Sequence, residues 1–304
     1  MCHVNSNRSC ITGSFVKPRF ICVSLILPII LGHMQTDFIS YRSSRVHYSR
    51  AGAGQKVLLC FHGYGESEQT FHFLEKYISA EYTLFAIDLP FHGQTQWQEG
   101  LRFAAADLLA IIESLCLKHT LGMNRFTLLG YSMGGRVALQ LLQVIPAKIE
   151  KAVLLAPDGL KVNFWYWLAT QTYIGNRLFS FTMKHPAWFF SLLQAGSRLK
   201  LINQSVLKFT RYYIHDISVR RLLYERWTGM RTIKPDLASI KKLIRAHRIP
   251  VRLLYGRYDR IIRHQRGEKF RRGIESFCTL HIIQTGHQVL QEKHVNQIIQ
   301  LIQS

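Results

Sequence analysis

The sequence predicts an α/β fold: a mostly parallel sheet covered by helices on both faces and interrupted by one helical insert. Three observations carry this. The run "KVLLCFHG" is nearly continuously apolar, as a strand buried on both faces must be, and "YTLFAIDLP" and "IEKAVLLAP" are strand-like. Segments of helical spacing, "LRFAAADLLAIIESLCLKH" and "MGGRVALQLLQVI", separate such strands, and this alternation is the mark of parallel crossovers. The alternation stops near Asp158, and aromatic, basic, helix-favouring sequence fills 159–247 before "IPVRLLYGRYD" resumes the strand pattern.

Taken in order, "FISYRS" and "RVHYSRAG" read as two paired early strands, followed by "KVLLCFHG". "TFHFLEKYIS" has helical spacing and leads to the strand "YTLFAIDLP"; the long helical stretch then leads to "RFTLLGYS". After the insert come a helix in "RHQRGEKFRRGI", a strand in "FCTLHIIQ" and a closing helix in "VNQIIQLIQ". Residues 34–158 and 248–304 are therefore expected to form the core, with 159–247 a helical cap whose two ends meet at one edge of the continuing sheet. A chain of 304 residues suffices for one such core plus an insert.

Residues 1–33 stand apart. Basic residues precede a short apolar run, Phe20–Leu31, broken by Pro28. The run is short for a membrane span and resembles a signal-peptide core, yet no small-residue cleavage site follows it. The expectation is an extension outside the fold, with a translation start at Met34 as one account of it. A cytoplasmic location goes with that reading; export or membrane association goes with a functioning signal or anchor.

The net charge of +21 is concentrated in the insert, where Gly159–Ile249 holds 16 Lys/Arg against 3 Asp/Glu. Such a field favours anionic ligands or acidic lipid surfaces, or else marks a solvated basic face. No nucleic-acid-binding motif accompanies it, so no specific nucleic-acid partner is expected. Peripheral membrane contact through the N-terminus or the basic cap stays open, as does the oligomeric state. The six cysteines form no CxxC pair, so neither a disulfide framework nor a zinc site is indicated.

The chemistry is carried by "LLGYSMGGRVAL". Ser132 lies between an apolar run and a helix, with Gly130 and Gly134 two residues to either side. A sharp strand-to-helix turn strains the serine backbone and requires small neighbours where strand and helix approach. It lifts the hydroxyl into a cleft and puts the Met133 N–H at a helix N-terminus, where it can hold a developing oxyanion. A serine hydroxyl needs a base and an orienting acid. Asp259, in "YGRYDRII", and His287, in "QTGHQVL", follow in that chain order, each just after a strand. Asp158, in "LLAPDGL", also follows a strand and is the alternative acid; otherwise it caps the first helix of the insert.

The order Ser…Asp…His resembles the α/β-hydrolase superfamily, and the resemblance runs from about Phe38 to the end of the chain. "CFHGYGES" is similar to the family's His-Gly oxyanion loop, which implies the backbone N–H of Tyr64 as the second oxyanion donor. "AIDLPFHGQT" is similar to its Asp-x-x-Gly-His-Gly segment, with Phe91 in place of the first glycine. The family implies an eight-stranded, mostly parallel sheet with an inserted cap. Asp259 is favoured over Asp158 as the acid by its Gly-x-x-Asp context. His62, His92 and Asp88 read as loop organisers.

The expected function is a serine hydrolase, carboxylesterase-like, forming an acyl-enzyme on Ser132 and needing no metal or organic cofactor. The aromatic cap, with Trp165, Trp167 and Trp188, points to a small or medium, largely apolar ester. Two further readings use the same residues. "GYSMGGR" resembles the elbow of the pyruvate-eliminating lyase of the menaquinone pathway, which would make Tyr131 and Arg136 substrate-binding; "SMGG" also resembles carbon–carbon bond hydrolases. The third is a ligand-binding receptor of the same fold that turns nothing over.

Overall fold

The computed structural model describes residues 34–304 except 79, 123–124 and 199–213; the extension read in residues 1–33 lies outside the described residues. Strands β1 (Gln35–Tyr41), β2 (Ser44–Ala51), β3 (Lys56–Phe61), β4 (Tyr82–Ile87), β5 (Phe126–Tyr131), β6 (Ile149–Leu155), β7 (Val251–Gly256) and β8 (Cys278–Ile283) form one sheet in the order β1-β2-β4-β3-β5-β6-β7-β8. The pairings β1–β2 and β2–β4 are antiparallel, and every pairing from β4 to β8 is parallel. The two early strands thus form a hairpin appended to a crossover sheet.

Burial follows the apolar runs. All six residues of β4 and of β5 are buried, because helices cover both faces of the sheet there. The edge strand β8 is exposed at three of its six residues and buried only at Cys278. The helices are α1 (Ala105–Lys118), α2 (Met133–Val144), α3 (Phe164–Gln171), α4 (Tyr173–Lys184), α5 (Ala187–Arg198), α6 (Ile217–Gly229), α7 (Leu237–His247), α8 (Gln265–Arg271) and α9 (Val295–Gln303). The expected helix in "TFHFLEKYIS" is a 3-10 helix, Glu68–Lys76, that seats Phe71 and Leu74 in the core.

Helix α2 is central. Its residues Met133–Leu142 are all buried between the sheet and the flanking helices α1 and α7. The close approach rests on two glycines: a Cβ on Gly130 would stand 2.6 Å from the Gly134 carbonyl oxygen, and one on Gly134 would stand 1.9 Å from that of Phe61 in β3. Both obstructing atoms are backbone and cannot rotate away. Gly134→Ala is therefore expected to destabilise the fold by about 3 kcal/mol, the upper end for overpacking, with a matching drop in the thermal midpoint. An unchanged midpoint would contradict the packing described here.

The insert has two parts. Helices α3–α5 contribute nothing to the main hydrophobic core, whereas α7 sends Ile240 and Ile244, one turn apart, fully into it. Two side chains of α2 hold the entry to α7: Gln140 Oε1 accepts from the Lys234 N–H and Gln143 Oε1 from the Asp236 N–H. Within the segment 159–247, then, α7 packs as part of the core layer, whereas α3 brings Trp165 and Tyr166 to the cleft that holds Ser132.

Candidate active site

The turn from β5 to α2 holds Ser132 at φ 50° and ψ −114°. Non-glycine residues avoid this conformation, which costs about 1–3 kcal/mol and persists only where surrounding bonds overdetermine it. Here they do. The Ser132 N–H donates to Leu155 O at 2.9 Å, and Ser132 O accepts from the N–H groups of Gly135 at 2.9 Å and Asp158 at 2.8 Å. The hydroxyl is thereby raised to the floor of a cleft.

Asp259 sits in the loop after β7 and His287 in the loop after β8. Their side chains meet Ser132 in a continuous chain: His287 Nδ1 lies 2.7 Å from Asp259 Oδ2, and His287 Nε2 lies 3.0 Å from Ser132 Oγ. The Asp259 side chain is fully buried, and its second oxygen accepts from the N–H groups of Ile261 and Ile262, each at 2.8 Å. A carboxylate only accepts, so Nδ1 carries the imidazole proton and Nε2 turns its lone pair to the serine hydroxyl.

Asp158 takes another partner. Its Oδ2 lies 3.6 Å from Arg136 Nε, and the helix cap expected of it falls to Asn163, whose Oδ1 accepts from the Trp165 and Tyr166 N–H groups at the start of α3. Arg136 lines the cleft, but its guanidinium is engaged: Nη1 donates to the Tyr166 hydroxyl at 2.9 Å and the group stacks over the Tyr166 ring. Tyr131 is buried beneath the site. Its ring packs 5.6 Å from that of His287, so it supports the histidine loop and is absent from the cleft lining.

The cleft has a volume of about 590 Å³. Tyr64, Ser132 and Met133 form its floor, and Val162, Trp165, Tyr166, Ile214, Leu223 and Trp227 supply apolar wall. Trp167 and Trp188 do not reach it. Four cations, Arg136, Lys161, Arg226 and Arg266, face one carboxylate, Asp158. A larger open groove of about 1060 Å³ adjoins the cleft at Lys161, Asn163, Ile261 and Arg266 but does not reach Ser132. The smaller cavity is the one that opens on Ser132.

Arg226 of α6 ties the insert to the floor. Its Nε donates to Phe91 O at 2.9 Å, and its guanidinium lies 5.5 Å from the centre of the Tyr64 ring. Phe91 itself has φ 65°, the left-handed conformation that a glycine would adopt there without strain. Its ring fills the space beside Gly229, where a Cβ would stand 2.5 Å from it. Nothing in the sequence marks Arg226 apart from the other insert cations. Glu66 is equally invisible: it accepts from the Gly63 N–H at 3.1 Å in the loop after β3, and burial raises its carboxyl above the usual range.

The loop organisers are buried. Asp88 accepts from the Glu68 and Gln94 N–H groups at 2.7 and 2.9 Å and faces His47 Nδ1 at 2.8 Å. Among the described residues, His47, Glu68 and Asp88 are the one group of three with metal-ligand atoms close together, within 4.8 Å, yet these same atoms serve the loop bonds and the Glu68–His72 contact. His62 Nδ1 donates to Gly63 O at 2.8 Å while its Nε2 accepts from the Leu89 N–H at 3.1 Å, so the ring is held neutral. Burial lowers the pKa of His62, and lowers that of His92 well below the ordinary value. For a histidine depressed in the fold, the unfolded chain binds the proton first. Stability is thus full above about pH 6.5, the unfolded value, and is lost as pH falls through the folded values. The thermal midpoint should drop on acidification below about pH 6.5, and in His62→Gln this drop should be smaller; an identical acid profile would contradict the neutral-ring account.

A sequence profile described as the alpha/beta hydrolase fold matches residues 56–294, and the chain belongs to that family. Similarity to a hydrolase of Bacillus subtilis strain 168, YugF, runs over 253 residues at 24% identity, covering 81% of this chain and 88% of that protein. A dihydrolipoyllysine-residue acetyltransferase component of the acetoin cleaving system from Cupriavidus necator is 32% identical over 125 residues, 40% of this chain and 32% of its own length. The chain therefore spans about a third of that relative, and the likeness is confined to a part of each. Among solved structures, the thermophilic esterase from Thermogutta terrifontis superposes with a TM-score of 0.61 at 18% identity, covering 88% of this chain and 97% of the esterase. At that identity the likeness shows the fold.

Proposed function

We propose that this protein is a serine hydrolase cleaving a small or medium-sized, largely apolar carboxylic ester through an acyl-enzyme on Ser132. The observation that carries the reading is the unbroken Asp259–His287–Ser132 hydrogen-bond chain at the floor of an aromatic-walled cleft. In this account His287 Nε2 takes the hydroxyl proton as Ser132 Oγ attacks the ester carbonyl, and Asp259 holds the imidazolium that forms. The oxyanion develops toward the main-chain N–H groups of Tyr64 and Met133, both at the cleft floor. His287 returns the proton to the departing alkoxide, and water, activated by the same imidazole, then releases the acid. Esterase neighbours of the same fold support the class.

The excess of cations in the cleft favours a second reading, in which the same triad breaks a carbon–carbon bond in a substrate bearing a carboxylate. The pyruvate-eliminating alternative draws less support, since Arg136 is already bound to Tyr166 and paired with Asp158. Turnover of a chain-length series of nitrophenyl esters separates these. A single optimum supports the esterase; absence of turnover by folded protein removes it and leaves carbon–carbon cleavage or ligand binding. Rapid multiple turnover of any ester excludes the receptor reading.

A further inference from the structure

The insert is amphipathic in the wrong sense for a helix facing water. Eleven of the seventeen exposed large apolar side chains among the described residues lie between Val162 and Ile217. On α4, Ile174, Leu178 and Phe181 fall on one face, at i, i+4 and i+7, with Tyr173 at its edge, and Tyr173, Ile174, Leu178 and Phe181 are 73, 79, 51 and 52% exposed. Asn176 points the other way and is satisfied inside the protein, its Nδ2 donating to Ala169 O and Thr228 Oγ1. The same outward face carries Arg177 and Lys184, both exposed. Beside it, Phe164, Trp165 and Trp167 of α3 are exposed and packed ring to ring. Monomeric soluble proteins rarely leave so much apolar surface uncovered without a partner for it.

Charge identifies the partner. Between Gly159 and His215 the chain holds seven Lys/Arg and no Asp or Glu. A second copy of this chain would set cations against cations, whereas an anionic lipid surface gains from both the apolar face and the charge. Tyrosine and tryptophan are the side chains that settle at a membrane–water boundary. Trp165, 69% exposed, belongs at once to this surface and to the wall of the Ser132 cleft. We propose that the outer face of α4, with the aromatic side chains of α3, docks on an anionic lipid bilayer, and that the cleft draws its ester from the lipid side. The docking stands on the exposed face alone; the origin of the substrate also rests on the hydrolase reading.

The test is co-sedimentation of the full chain with vesicles of phosphatidylcholine alone or mixed with phosphatidylglycerol. The full chain should bind the mixed vesicles at least about tenfold more tightly than the neutral ones, and less so in high salt. The triple variant Ile174→Gln/Leu178→Gln/Phe181→Gln, which changes only exposed positions, should lose at least about tenfold of that binding. Leu117→Gln, an 83% exposed apolar side chain on α1, should bind as the parent does. Arg177→Glu/Lys184→Glu should weaken binding to the mixed vesicles alone, and serves if the triple variant fails to fold. Equal binding by the triple variant or the charge-reversed variant, equal binding to neutral vesicles, or a dimer that the triple variant dissolves in place of vesicle binding, would each overturn the docking. Vesicle binding is read without turnover, so failure of the hydrolase reading leaves it standing. Conversely, hydrolysis of soluble esters with none of a vesicle-borne ester would overturn the lipid origin of the substrate and spare the hydrolase.

Discussion

Replacing Ser132 by alanine should reduce kcat for any ester substrate by at least about 10⁴-fold while leaving the thermal midpoint nearly unchanged or slightly raised. The expectation follows from geometry. Ser132 Oγ is the atom 3.0 Å from His287 Nε2 at the cleft floor, so no other hydroxyl inherits the base. The backbone strain belongs to the turn, held by Leu155, Gly135 and Asp158, and alanine keeps that turn. Loss of the hydroxyl thus removes the nucleophile without removing the fold. KM should change little, because the apolar wall of the cleft is intact. Rates on the activated nitrophenyl esters, compared with a blank containing no protein, would measure the effect; a loss below about tenfold would place the reaction elsewhere.

Asp259→Asn is the second large effect, about 10⁴-fold in kcat, and its sign is set by the two N–H groups of the loop. Oδ1 of Asp259 accepts from both Ile261 and Ile262, so the asparagine carbonyl oxygen must keep that position. The amide NH₂ then falls where Oδ2 stood and donates to His287 Nδ1. Nδ1 becomes an acceptor, the ring proton moves to Nε2, and Nε2 can no longer take the serine proton. Asp158→Asn, by contrast, should leave kcat within about threefold, since its partner is Arg136 and not His287. Comparable losses from the two variants would mean that the assignment of the acid is wrong.

These contrasts mark how much of the molecule the sequence discloses. Strands buried on both faces announce themselves, since "KVLLCF" and "FTLLGY" have no polar side to hide. The elbow is legible because glycines at 130 and 134 are demanded by backbone contact, and no other residue fits. Chain order and strand ends were enough to bring Asp259 and His287 to the same serine. Both Asp259 and Asp158 follow strands, and the Gly-x-x-Asp context already favours Asp259; the fold shows that Asp259 meets imidazole and Asp158 guanidinium.

Side-chain direction was the harder quantity. Tyr131 and Arg136 flank the serine in sequence, yet one turns beneath the histidine loop and the other toward Tyr166 and Asp158. Of the three tryptophans named for the pocket, Trp165 lines it, while Trp167 and Trp188 do not. Periodicity could not separate α7 from α3–α5, because an apolar stripe reads alike whether it meets the core or the solvent. The tie from Arg226 to Phe91 spans 135 residues, and no local pattern predicts it.

In the proposed chemistry Ser132 is a nucleophile activated by His287 and Asp259. The most direct test is stoichiometric labelling with a fluorophosphonate, followed by the mass of the intact protein and of its peptides. One adduct per chain is expected, on the peptide holding Ser132, absent in Ser132→Ala and slowed strongly in His287→Ala. An adduct on another residue, or none on folded protein, would contradict it.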